Sequence, residues 1–63
     1  MNAEDRFCWG ISDVAEYLGR AVSWTYDNYR RLGIPHIKVG QAVRFRPREV
    51  EDWAEAQRGD RAA

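Results

Sequence analysis

Three basic side chains, Lys38, Arg44 and Arg46, surround a Gly40-Gln41 pair with no carboxylate among them. Such a cluster suits a polyanion, because clustering of charge matters more to that partner than the chain's total. Upstream lie Ser23, Trp24, Asp27, Asn28, Arg30 and Arg31. These types match the groups that read base edges and phosphates in duplex DNA. Asn28 can pair bidentately with adenine, Asp27 can accept from cytosine N4, and Ser23 can donate to a phosphate or a base. Arg30 and Arg31, further along, suit phosphates. Gln41 can reach the acceptors of a minor groove, where arginine is also favoured by the deep negative potential.

Each of these residues also has a plainer reading. Asp27 and Asn28 fit a solvated helix face, and basic residues on a hairpin can serve solubility alone. Trp24 either packs under Phe7 or Trp9 or lies against sugar–phosphate backbone. Tyr26 and Tyr29 are expected in the core, with their hydroxyls close enough to the rim to meet a phosphate. His36 is expected to be structural or exposed beside Pro35.

The formal charge of the 63-residue chain is zero, yet it is unevenly spread. Residues 1–19 carry one basic and four acidic side chains, a net −3. Residues 20–48 carry seven basic side chains against Asp27 alone, a net +6. Residues 49–63 return to −3, with two basic and five acidic. Glu49, Glu51, Asp52 and Glu55 in that last stretch leave open a protein-interaction role for a third helix.

Catalysis has little material here. Cys8 and His36 are the only residues of their kinds, so neither a disulfide, a metal cluster nor a nucleophile–base pair can be assembled from them. No cofactor and no small-molecule substrate is expected. Cys8 reads as a partly buried small hydrophobe. No apolar run is long enough to span a bilayer, the acidic start is unlike a signal peptide, and a lone thiol fits the cytoplasm.

The elements that must position these side chains can be read from period and punctuation. Ser12 is expected to cap a first helix, with Glu16 near the capping-box spacing. Val14, Ala15 and Leu18 form its apolar face, and Gly19 stops it. A second helix is predicted from Val22 to Leu32, with Val22, Tyr26 and Tyr29 turned inward, Thr25 beside them, and Gly33 and Pro35 ending it. Ile37-Lys38-Val39 and Val43-Arg44-Phe45 alternate as a half-buried hairpin around Gly40-Gln41. Lys38 and Arg44 are expected to point together, away from the helices, with Arg46 near the same surface. Pro47 opens a third helix whose inner face holds Val50, Trp53, Ala54 and Gln57, with Gly59 closing it. The fold class is therefore mostly α with a small β-hairpin: a winged helix-turn-helix of three helices with a two-stranded wing between the second and third. Residues 1–63 form one domain, with an ordered core over about 9–57.

The order and spacing of these pieces resemble the excisionase family of small winged helix-turn-helix proteins, also called recombination directionality factors, relatives of the MerR-type DNA-binding domain. The resemblance is carried by Ser12-Asp13-Val14-Ala15-Glu16-Tyr17-Leu18-Gly19, Trp24-Thr25-Tyr26 and the run from Gly33 to Gly40. It continues through Val43-Arg44-Phe45-Arg46 and Val50-Glu51-Asp52-Trp53. It implies that residues 22–32 enter the major groove while the wing rides on the adjacent minor groove. It further implies binding to attachment-site DNA, which is bent so that an integrase assembles an excisive complex, with neighbouring copies cooperating. A small transcriptional regulator of the AlpA kind is the alternative with the same fold. The family pattern often has serine and then arginine in the turn where this chain has Ala21 and Val22, leaving Ser23 to take over a contact.

Overall fold

A computed structural model describes residues 5–58. The first helix, α1 (Ile11–Leu18), begins one residue after Gly10 and not at Ser12. Glycine has no side chain with which to cap, so Asp13 does the work from inside: its Oδ2 accepts the Gly10 N–H at 2.8 Å. Ser12 is already helical, and the expected serine cap is corrected by the carboxylate three residues after Gly10, which meets the first unsatisfied donor. At the other end Gly19 takes φ 71°. The Arg20 N–H then reaches the Ala15 carbonyl at 2.9 Å and the Gly19 N–H reaches that of Glu16 at 3.2 Å. That paired closure satisfies carbonyls that would otherwise be orphaned.

Helix α2 (Val22–Leu32) ends the same way at Gly33, φ 78°. Here the closing bond runs from the Ile34 N–H to the Tyr29 carbonyl at 3.1 Å, and both side chains are buried. The inward stripe differs from the expected one. Thr25 and Tyr29 are buried, whereas Val22 is 51% and Tyr26 61% exposed. Thr25, Tyr29 and Leu32 follow the helical period as one line, and Tyr26 is a full 100° step from Thr25. Threonine tolerates its burial because its hydroxyl donates to the Ala21 carbonyl at 3.0 Å.

Strands β1 (Ile37–Val39) and β2 (Ala42–Arg44) pair antiparallel around Gly40-Gln41. Gly40 has φ 63° at the first turn position, where a two-residue hairpin loop calls for glycine. Phe45, expected in the second strand, instead pairs with Trp9 through two backbone bonds of 3.1 and 2.8 Å. The N-terminal segment thus lies along the hairpin. In that extended stretch Phe7 and Trp9 are half-buried while the intervening Cys8 is exposed, which corrects its expected partial burial.

Helix α3 (Pro47–Ala56) opens with proline at its start and buries Val50. Trp53 is half-buried and donates from Nε1 to the Leu32 carbonyl at 3.1 Å, joining α3 to the end of α2. Gln57, expected on the inner face, is an exposed residue just past the helix, because the helix ends at Ala56. The Gly59 stop and the tail beyond it lie outside the described residues. Val14, Tyr29 and Val50, one from each helix, form the core with Ile34 and Phe45 from the segments flanking the hairpin, and Trp9, Ile11, Leu18, Leu32, Val43 and Trp53 pack around it. The structure is a helix-turn-helix followed by a two-stranded wing and a closing helix, as expected. Among the described residues no helix is long and apolar enough to cross a membrane.

Candidate nucleic-acid interface

The surface of α2 divides into two lines with different freedom. Ser23, Asp27 and Arg30 recur at helical spacing and are all exposed. Arg30 donates from Nε to the Tyr29 hydroxyl at 3.3 Å and has no carboxylate partner among the described residues. Beside this line Tyr26 projects outward, and a shallow cleft is lined by Tyr26, Asp27, Tyr29 and Arg30. Reading Tyr26 as core hid it from the sequence-level site. The signal that could have found it is the buried threonine immediately before it.

The second line, Trp24, Asn28 and Arg31, is bonded to itself. Asn28 Nδ2 donates to the Trp24 carbonyl at 2.7 Å. Its Oδ1 accepts from Arg31 Nε at 3.1 Å and from Nη2 at 2.6 Å. Both ends of the amide are engaged, so a bidentate pair with adenine requires these bonds to open. Among the described residues Trp24 makes no ring contact with Phe7 or Trp9. It is half-buried with the Arg20 guanidinium 4.1 Å over its ring.

The wing corrects the expectation that Lys38 and Arg44 point together. Its register sets Ile37 opposite Arg44, Lys38 opposite Val43 and Val39 opposite Ala42. Directly opposed residues share a face, and successive residues alternate. Ile37, Val39, Ala42 and Arg44 therefore occupy one face, while Lys38 and Val43 occupy the other. A two-residue loop forces this outcome, since it pairs even-numbered positions with odd-numbered ones. Gln41 is exposed at the turn. Arg44 folds back along its own strand, with Nη1 3.0 Å from the Val43 carbonyl. The same nitrogen would lie 3.6 Å from a Cβ placed on Gly10.

Arg46 does not join the other two cations. Its guanidinium lies 4.4 Å over the Phe7 ring and donates to Glu49 Oε2 at 3.1 Å. The acid missing from the hairpin sequence is supplied by the first turn of α3. His36 is exposed, with Nδ1 2.9 Å from the Ile34 carbonyl and its ring edge-on to Tyr29 at 4.9 Å.

Ion pairs engage the basic residues in and around α3. Arg46, Arg48 and Arg58 pair with Glu49, Asp5 and Glu55. Among the described residues Arg20, Arg30, Arg31, Lys38 and Arg44 have no carboxylate within ion-pair distance. These five belong to the inter-helix turn, α2 and the wing; Arg6, in the N-terminal segment, has none among the described residues either. Nor does any group of three or more His, Cys, Asp or Glu among the described residues gather as a metal site. A family model described as a helix-turn-helix domain matches residues 10–58, which takes in every element from α1 to α3. No curated protein and no solved structure matches the chain.

Proposed function

The chain belongs to the helix-turn-helix domain family, a DNA-binding fold, and on that premise we propose that it is an excisionase-type architectural protein. In this reading it binds double-stranded attachment-site DNA and directs an integrase toward excision. The observation that carries the DNA contact is the set of five cations without carboxylate partners on the turn, α2 and the wing. No carboxylate among the described residues pairs with them, so phosphates can replace condensed counterions there. The outward line Ser23, Asp27 and Arg30 is presented to the major groove, where a helix of this width fits.

Separation of Lys38 and Arg44 onto opposite faces suits a wing in a groove. A groove has a phosphate strand on each side, and a hairpin carrying one cation per face can approach both. Gln41 then stands at the leading turn. Trp24, Asn28 and Arg31 brace the helix, with Arg31 Nη1 left over for a phosphate. Arg46 anchors the wing to α3 and contributes positive potential rather than a direct contact. Single modules of this size bury only ~600–1,000 Å² on DNA, so adjacent copies cooperating along the duplex complete the proposal.

The test is recombination between hybrid attachment sites with the cognate integrase, combined with a footprint over that locus. Excision that depends on this protein, with protected sites beside the integrase core, supports the proposal. Excision that runs equally without it, with protection confined to a promoter, replaces it by transcriptional regulation.

A further inference from the structure

Apolar exposure is concentrated on the elements that also carry the cations without acid partners. Of the five large hydrophobic side chains exposed among the described residues, Val22 and Tyr26 lie on α2 and Ile37 and Val39 on the wing. On the hairpin the register sorts them further. Val43, and Phe45 two residues on, turn toward the core, so the face holding Ile37, Val39, Ala42 and Arg44 turns away from it. Val39 is 58% exposed and adjoins the turn, while Ile37, 37% exposed, stands nearer the base across from Arg44.

We propose that this outer face of the wing is itself a DNA-contacting surface, in which Val39 and Ile37 pack on the deoxyribose wall of a minor groove while Arg44 holds a flanking phosphate. The inference rests on the DNA-binding reading above and assigns it a second, non-ionic component. A sugar–phosphate wall presents apolar sugar between anionic phosphates. The wing face presents apolar side chains beside a cation that forms no ion pair among the described residues, and the match is one of both polarity and charge. An apolar protein surface would cover Val39 and Ile37 equally well but leave Arg44, and Lys38 behind it, without counter-charge. Apolar contact releases no counterions, so its contribution to affinity persists as salt rises.

The experiment compares the full chain with Val39→Ser, Val39→Thr and Arg44→Ala on a labelled mixed-sequence duplex over a salt series. Covering a half-exposed valine implies that Val39→Ser weakens binding about fivefold with an unchanged log–log salt slope. Val39→Thr, which keeps the branch and one methyl, should fall between. Arg44→Ala should lower the slope by about one. Thermal melts of the Val39 variants should match the parent, since the side chain is mostly in solvent. Parent-like duplex affinity for Val39→Ser overturns the inference and leaves the DNA reading intact. Loss only of cooperativity between adjacent sites, with single-site affinity unchanged, also overturns it and assigns the face to a second copy. Failure of the parent to bind any duplex at low salt removes the DNA reading itself, and this inference with it.

Discussion

Arg44 stands directly across the hairpin from Ile37, and Lys38 stands across from Val43. The two wing cations are therefore back to back. Each meets whatever lies on its own side, and neither can substitute for the other by a change of rotamer.

That arrangement predicts independence. Lys38→Ala and Arg44→Ala should each reduce the log–log salt slope of duplex binding by about one, and the double variant by about two. Titrations by fluorescence anisotropy at several salt concentrations would check this. A double variant no weaker than either single would place both side chains at one phosphate, contrary to the register.

Asp27 is the only carboxylate between Glu16 and Glu49, and it is exposed in the middle of the outward line of α2. Asp27→Ala should raise affinity for mixed-sequence DNA several-fold at low salt, because one repulsive charge is removed from a surface approaching phosphates. If Asp27 reads cytosine, discrimination between specific and unrelated duplexes should fall at the same time. Competition binding separates the two effects.

Arg46 predicts a change in stability more than in binding. Arg46→Ala loses stacking on Phe7 and the contact to Glu49 at the start of α3. A cation–π contact contributes roughly 0.5–1 kcal/mol at a partly exposed site, and the ion pair adds a few tenths more. Urea denaturation should show about 1 kcal/mol of destabilisation, with a salt slope for DNA close to the parent's.

Phe45 lies at 0% exposure, edge-on to Tyr29 at 5.7 Å, and its backbone holds Trp9. Truncating a buried phenylalanine costs ~3–5 kcal/mol. Typical stability is only roughly 0.05–0.15 kcal/mol per residue, so a chain of this size has little reserve. Phe45→Ala should be largely unfolded at room temperature by circular dichroism, whereas Tyr26→Ala, cut from an exposed side chain, should keep its melt.

Much of the fold was legible because glycine marks three of the breaks. Gly19 and Gly33 adopt left-handed conformations at the helix ends, and Gly40 does so in the turn. The start of α1 was harder to read, since its cap is a residue without a side chain and the stabilising group sits three residues on. Tyr26 was placed inward because an aromatic ring outweighs a threonine in hydrophobicity. Thr25 takes the buried position by returning its hydroxyl to the Ala21 carbonyl.

For the candidate site, helical spacing was enough to group Ser23, Asp27 and Arg30. The closed line of Trp24, Asn28 and Arg31 depends on rotamers that spacing does not specify. The faces of the wing could have been read from the two-residue loop by counting parity. The Glu49 partner of Arg46 could have been read from their i, i+3 separation across Pro47. The bridge between Trp9 and Phe45 had no such local signal, because it joins segments far apart in the chain.

That bridge makes the small sheet lopsided. Trp9 shields β2 near Phe45, while the far side of β1 pairs with no strand among the described residues. Unpaired amides on a strand invite another chain to extend the sheet, and brevity and lysine are common deterrents. At three residues with Lys38 in the middle, β1 has both. The lysine thus guards solubility when no DNA is present, so replacing it with an apolar residue should promote self-aggregation even where the fold is untouched.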